Sequence, residues 1–378
     1  MEELEKFKTQ IAMCNICAWC RIKCPVYSVT KWESEGPRGR MILLRGIVYG
    51  LLEPTQKVIE KVYECTSCAM CNFNCDAGIS PLEVMLGARR AFSRAGVAPP
   101  PPNKRMDMRI ARDKNPYASP QEARFQWLDV TLPEKSDGVL FVGCVNAFRH
   151  QETVKKAVSM LKAAGYDFTL LKDEVCCGMH PYWDGQTELA KQLAEQNALL
   201  FDKTEASTVI TPCAGCYSTF TKAYPELVGN FGFKVKHISE VIRDLAKEGV
   251  IELREGEAVK VTYHDPCHLG RHCNFYDPPR ELIKLIPGVE LVEMEKNRSE
   301  ANCCGGGGGL FTLNPELAVR IAERRVKEAE ATGSKYLITV CPLCRTNLDL
   351  ASKRLDSQLR VCDLVDLVAS RLRVTGEA

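Results

Sequence analysis

The sequence predicts a mixed α/β and α fold: an α-helical, cysteine-rich N-terminal domain followed by two duplicated α/β domains with parallel sheets. Three observations carry this. Eight of the 20 cysteines crowd into residues 1–97, between segments of helical character. From Gly138 onward short β-branched runs alternate with amphipathic stretches, the pattern of strand–helix units on a parallel sheet. The same succession recurs after Ala258, and an internal duplication is the simplest account. The expected division is therefore 1–97, a proline-rich linker at 98–137, a first α/β copy at 138–257 and a second at 258–378.

Taken in order, Pro54 to Glu64 reads as a helix feeding the second cysteine group, and Pro81 to Phe92 as a helix leaving it. Glu33 to Arg40 reads as loop, with its glycines and proline as breakers. Pro99 to Pro102 open a polar stretch of little periodicity, reaching about Asp137 and expected to be a stiff linker or a wrapping segment. Val139 to Val142 reads as a buried strand, His150 to Gly165 as a helix, and Phe168 to Leu171 as a strand. Gln186 to Asp202 is a helix with Leu189, Leu193 and Leu200 on one face, and Thr208 to Ile210 is a strand. In the second copy Val259 to Tyr263 is a strand, Pro279 to Ile286 a helix and Val289 to Val292 a strand. A further helix starts at Asn314, with Pro315 in its first position, and Tyr336 to Val340 closes the set as a strand.

Composition excludes several classes. The 50 basic and 48 acidic residues nearly cancel, so no bulk attraction to nucleic acid or an acidic membrane is expected. The longest apolar stretch, Met41 to Leu52, is interrupted by Arg45 and is too short to span a bilayer. The acidic start lacks a signal-peptide layout, so a cytoplasmic location is expected, with membrane attachment only through a partner subunit. In a large chain of this kind, 20 cysteines point to metal or cluster ligands rather than a disulfide framework. Six histidines leave a zinc reading with mostly all-cysteine sites.

Cys14, Cys17, Cys20 and Cys24-Pro25 form C-x2-C-x2-C-x3-C-P, and Cys65, Cys68, Cys71 and Cys75 repeat the spacing with Asp76 in place of proline. In this bacterial ferredoxin run three close thiolates hold one 4Fe-4S cubane while the fourth crosses to the other cluster. Cys14, Cys17, Cys20 and Cys75 are thus assigned to one cubane, and Cys65, Cys68, Cys71 and Cys24 to the second. Two identical four-cysteine runs exceed the paired C-x2-C halves of a zinc site. The helical character between Cys24 and Cys65 resembles the α-helical ferredoxin module of respiratory dehydrogenase iron–sulfur subunits. Arg38 and Arg40 either lower the cost of an anionic cluster or are solvated loop charges.

Ten further cysteines form two copies of one motif. Cys144, Cys176-Cys177-Gly178 and Cys213-x2-Cys216 make the first; Cys267, Cys303-Cys304-Gly305 and Cys341-x2-Cys344 make the second. Adjacent cysteines suit a simple tetrahedral zinc poorly, and five thiolates exceed the four iron corners of a cubane. An unusual cluster is expected, with an iron open to a ligand. Cys144, Cys213, Cys267 and Cys341 follow predicted strands, where an α/β sheet offers its ligand crevice.

Two CCG motifs behind a two-cluster ferredoxin domain resemble the heterodisulfide reductase D subunit and its relatives, in which the B and C subunits are in effect fused. The resemblance covers nearly the whole chain. It implies one noncubane 4Fe-4S cluster in each CCG domain, the pair splitting a disulfide of small thiols between them. Many relatives lack part of one cysteine set, whereas all ten are present here. Pro266-Cys267-His268 matches the family segment whose histidine is a candidate proton donor, and a default pKa near neutrality suits that role. His264, Arg271 and His272 share the segment and could bind an anionic thiol, although Arg271 and His272 read more simply as solvated. Gly305 to Gly309 lacks the lysine and spacing of a phosphate loop, and reads as backbone that must approach a cluster or substrate closely. Gly178 marks the equivalent turn of the first copy, where Met179 to Trp183 replace the glycines. His180 reads as structural; Cys273 and Cys362 fit no motif, and His150 and His237 attract no role.

Two functions follow. One is an iron–sulfur catalytic subunit reducing or forming a disulfide, with electrons relayed by the cubanes. The other is an electron-transfer subunit of a flavin-dependent 2-hydroxyacid or glycerol-3-phosphate dehydrogenase, or of another respiratory complex, with no substrate site of its own. Both require a redox partner, either a flavoprotein, a ferredoxin or a membrane cytochrome, because no flavin or nicotinamide fingerprint is evident.

Overall fold

The structure, a computed structural model, describes residues 2–229 and 231–373. Its N-terminal part is helical, with Pro37–Val48, Gln56–Tyr63 and Pro81–Arg94 packed around Leu4, Ile11, Leu44, Ile59, Val62 and Phe92, while Pro25–Thr30 packs Val26 against Leu317 and Ile321. The segment Glu33 to Arg40 is not one loop but divides at Gly36. Glu33–Glu35 is a single 3-10 turn, and Pro37 opens a long helix. Proline at a first helical position has no N–H to lose, so it starts this helix rather than breaking it.

The same reasoning corrects the four-proline run. Pro101 opens the helix Pro101–Asp113, which buries Asn103, Asp107 and Ile110. A 3-10 turn at Gln121–Arg124 follows, with the Arg124 side chain fully buried. Buried polar groups of this kind make the segment a wrapping one rather than a free spacer.

The first sheet is parallel throughout. Its strands β1 (Gly138–Leu140), β2 (Thr169–Leu170), β3 (Thr208–Thr211) and β4 (Lys234–His237) lie in the order β2-β1-β3-β4. Val139 pairs with Thr169 on one side and Val209 on the other. The second sheet repeats this with β5 (Val259–Tyr263), β6 (Val289–Leu291), β7 (Tyr336–Thr339) and β8 (Arg360–Asp363) in the order β6-β5-β7-β8. The helices Gln151–Ala163, Thr187–Lys203, Asp277–Leu285 and Pro315–Glu330 are crossovers, as parallel pairing requires. On the Thr187–Lys203 helix Leu193 is buried while Leu189 and Leu200 are half-buried. Asn314 caps the Pro315–Glu330 helix through a hydrogen bond accepted from Leu317 N.

Sequence patterning gives no sign of the closing strands β4 and β8, and Tyr336 to Val340 is not the last strand. Both are edge strands of alternating polar character, Lys-Val-Lys-His and Arg-Val-Cys-Asp, and lack the apolar run that marks a central strand. The two copies share one core, in which Leu140, Ile210 and Ile242 join Val261, Ile283, Leu337 and Val365. No described helix is long and apolar enough to cross a membrane.

Candidate metal centre

In the helical domain each cysteine run turns through two left-handed residues, Ile16 and Ala18 in the first and Ser67 and Ala69 in the second. These turns let successive thiols converge. Cys14, Cys17, Cys20 and Cys75 line one small cavity, together with Arg38. Burial, reinforced by those neighbouring sulfurs, pushes the Cys20 thiol up to about 12. Burial also pushes Cys24 up to about 11, with Arg40 acting against it and Cys68 and Cys65 nearby. The fourth cysteine of each run thus lies with the first three of the other. Arg40 is no solvated loop charge. It is buried, and its Nε donates to Lys61 O at 2.5 Å.

In the duplicated part Cys144, Cys213, Cys267 and Cys341 emerge just past the C-terminal ends of the central strands β1, β3, β5 and β7, while the pairs Cys176-Cys177 and Cys303-Cys304 lie on the segments that follow the edge strands β2 and β6. Thiol contacts join Cys144 to Cys176, Cys176 to Cys177, Cys177 to Cys216 and Cys216 to Cys213. In the second copy they join Cys267 to Cys303, Cys303 to Cys304, Cys304 to Cys344 and Cys344 to Cys341. The Cys304 and Cys344 sulfurs are 3.2 Å apart. The copies meet where Cys213 contacts Cys341. Cys303 also contacts Cys68 of the N-terminal domain, so the second copy is the one nearer the ferredoxin-type cysteines.

Gly178 and Gly305 follow the paired cysteines with φ of +86° and +81°. A Cβ at Gly305 would lie 2.4 Å from Ala318 O, so both conformation and space require glycine. Its N–H donates to Cys303 Sγ at 3.3 Å. Gly308 is pressed against the other domain, where a Cβ would lie 2.3 Å from Cys65 O. The glycine run is therefore thin backbone between the Cys65–Ser67 turn and a cavity of about 740 Å³. Cysteines of both copies open into that cavity, beside His268, Met106, Tyr117 and Leu343.

The His268 Nε2 is 3.2 Å from Ser67 Oγ, and its ring stacks on His272 at 4.4 Å between centroids. Burial, with His272 beside it, pulls His268 well below its ordinary value. Arg271 is buried and His272 half-buried, so neither is a solvated loop side chain. Arg271 donates to Cys68 O and Ala301 O, both at 2.6 Å, and His272 Nε2 lies 2.8 Å from Ser67 O. They staple the second copy to the cysteine turn. His264 is buried beside Cys304 and Cys344, where its Nδ1 accepts from Arg325 at 3.2 Å.

Two residues that no motif singles out, Arg124 and Glu174, belong to the site. Arg124 bonds Glu174 at 2.6 Å and lies 3.5 Å from Cys144 Sγ. Glu174 accepts from Val142 N and Gly143 N, both at 2.9 Å, which fixes the backbone that delivers Cys144. No spacing joins the two, and Arg124 sits in the stretch whose pattern suggests a linker. His150 and His237 bond Thr346 Oγ1 and Val340 O, Cys273 Sγ lies 3.4 Å from Thr221 Oγ1, and neither Cys273 nor Cys362 lines the cavity.

All these cysteines are free thiols. So many sulfurs, buried and in contact, cannot ionise together unless cations hold them. Five thiols per copy, two of them adjacent, fit an iron–sulfur cluster and not a tetrahedral zinc. The comparisons agree. A 4Fe-4S dicluster domain model matches residues 10–79, and the CCG cysteine-rich domain model matches 139–221 and 261–349. The protein is thus an iron–sulfur protein of the oxidoreductase class. It is 32% identical to the D subunit of dihydromethanophenazine:CoB–CoM heterodisulfide reductase from Methanosarcina acetivorans, over 97% of this chain and 95% of that one. The Methanosarcina mazei counterpart is 33% identical over 96% and 94%. The chain belongs to the family of heterodisulfide reductase D subunits. EtfAB:quinone oxidoreductase of Syntrophomonas wolfei is 29% identical over 76% of this chain and 43% of its own. A Helicobacter pylori hypothetical protein of solved structure shares the fold, with a TM-score of 0.62 at 11% identity, covering 100% of this chain and 72% of that one.

Proposed function

We propose that this chain is the iron–sulfur catalytic subunit of a disulfide reductase, acting on a disulfide of small thiols in the cavity between its two CCG copies. The observation that carries this reading is that cysteines of both complete five-cysteine sets open into one cavity. On this reading, Cys14, Cys17, Cys20 and Cys75 hold one 4Fe-4S cubane and Cys24, Cys65, Cys68 and Cys71 a second. Cys144, Cys176, Cys177, Cys213 and Cys216 hold one noncubane cluster, and Cys267, Cys303, Cys304, Cys341 and Cys344 the other. The boundaries at 97, 137 and 257 separate these functional parts.

When bound, such clusters supply the redox chemistry, two electrons passing to the disulfide as two protons are taken up and two thiols form. The protein supplies position. Apolar walls at Met106, Phe311 and Leu343 exclude water from the S–S bond, and Arg149 offers positive charge to an anionic thiol, while Arg345 is paired with Asp366. His268 presents an imidazole at the cavity wall as the proton-delivering group, held by Ser67 and His272. Gly178 and Gly305 let the backbone turn tightly behind the paired cysteines.

The electrons come from a partner subunit, whether flavoprotein, ferredoxin or membrane cytochrome, in a hetero-oligomer that attaches to a membrane, where it does so, through that partner. The resemblance to EtfAB:quinone oxidoreductase supports the second reading, a relay that binds no disulfide. Electron paramagnetic resonance of the anaerobically purified, oxidised protein distinguishes the two. A signal that appears only with added thiol supports the reductase, and a spectrum indifferent to thiol supports the relay.

A further inference from the structure

Among the described residues, one convergence of metal-binding side chains contains no cysteine: Asp107, His180 and Asp184. Asp107 comes from the helix Pro101–Asp113. His180 and Asp184 lie one turn apart, on the short helix Met179–Trp183 and its C-terminal cap. Asp184 is fully buried, and Asp107 is 5% exposed. Both carboxylate oxygens of Asp107, Oδ2 of Asp184 and Nε2 of His180 are buried without a hydrogen bond.

The spacing is informative. His180 Nε2 lies 3.4 Å from Asp184 Oδ2 and 3.8 Å from Asp107 Oδ1. Good hydrogen bonds are shorter. Ligand atoms bound at about 2.0–2.2 Å around one tetrahedral ion are roughly 3.3–3.6 Å apart. Arg89, a permanent cation whose charge is felt at Asp184, makes no hydrogen bond to either carboxylate. Its guanidinium donates instead to carbonyls of Val62, Tyr63, Cys65, Trp183 and Gly308.

The surroundings hold the groups in place. Asn103 Nδ2 donates to Asp184 Oδ1 at 3.0 Å, and Tyr63 Oη donates to Asp184 O at 2.7 Å. Gly309 closes over them, where a Cβ would lie 2.7 Å from Asp184 Oδ1. We propose that Asp107, His180 and Asp184 bind one divalent cation of the zinc class, at the edge of the cavity and apart from the cysteines. The ion ties the wrapping helix to the first copy, beneath the glycine run of the second. This assignment does not depend on the function proposed above.

The test uses the full-length holoprotein, purified anaerobically, equilibrated with Zn2+ and dialysed. About one zinc per chain is expected to remain, with an X-ray absorption first shell of nitrogen and oxygen only, at about 2.0 Å. Asp107→Asn and His180→Gln should each weaken zinc retention by at least about tenfold, with iron and acid-labile sulfide unchanged. A sulfur shell near about 2.3 Å, no retained zinc, or full retention in both variants would overturn the proposal. Should either variant fail to fold, the wild-type absorption spectrum decides alone.

Discussion

His268 sits where three lines of structure meet. Its backbone follows Cys267 in the turn after β5, Ser67 of the helical domain touches its Nε2, and its ring borders the cavity. Burial disfavours its charged form, so the proton it delivers is one it takes up as negative charge develops on a thiolate beside it. His268→Ala should therefore slow disulfide turnover about 100-fold with iron per chain unchanged, measured by steady-state assay beside iron analysis. Unchanged turnover would remove the residue from the chemistry. At this scale the sequence is most legible where chemistry is written in spacing, as in the paired cysteines with their glycine. Asp107, Asp184, Arg124 and Glu174 carry no such spacing, because their partners are brought together only by folding. Arg271 is deceptive for a related reason: an arginine in a glycine- and histidine-rich segment looks solvated until backbone carbonyls are seen to surround it.

The wrapping segment is the element on which most depends. From Pro101 to Arg124 it buries Ile110 and Arg124 against the first copy, and Asn103 and Asp107 where the first copy meets Gly309 of the second. The Arg124–Glu174 pair is fully buried, and removing one charge leaves the other stranded. Glu174→Gln should cost about 3–5 kcal/mol, read as a lowered denaturation midpoint, and should loosen the turn that presents Cys144. A midpoint within error of wild type would show the pair to be dispensable. Central strands are legible as short apolar runs, and Val259–Tyr263 has the expected ends. The edge strands β4 and β8 are not, since lysine, histidine, arginine and aspartate interrupt their few apolar residues. Prolines mislead at Pro37 and Pro101, because the same ring that ends a helix is favoured in its first turn.

Across the whole molecule the sulfurs form a continuous order: the N-terminal runs, then the second copy through Cys68 and Cys303, then the first copy through Cys341 and Cys213. The duplication explains this. Two copies with the same strand order bring the C-terminal ends of their central strands, and so their cysteines, to one cavity. The repeat itself is legible in the sequence, but its consequence is not, because the relative placement of two copies is set by packing between them rather than by either alone. The proposed function requires that both five-cysteine sets hold a cluster beside the two cubanes. Iron per chain in anaerobically purified protein tests that most directly: about sixteen atoms are expected from four 4Fe-4S clusters, whereas about eight, enough for the cubanes alone, would contradict it.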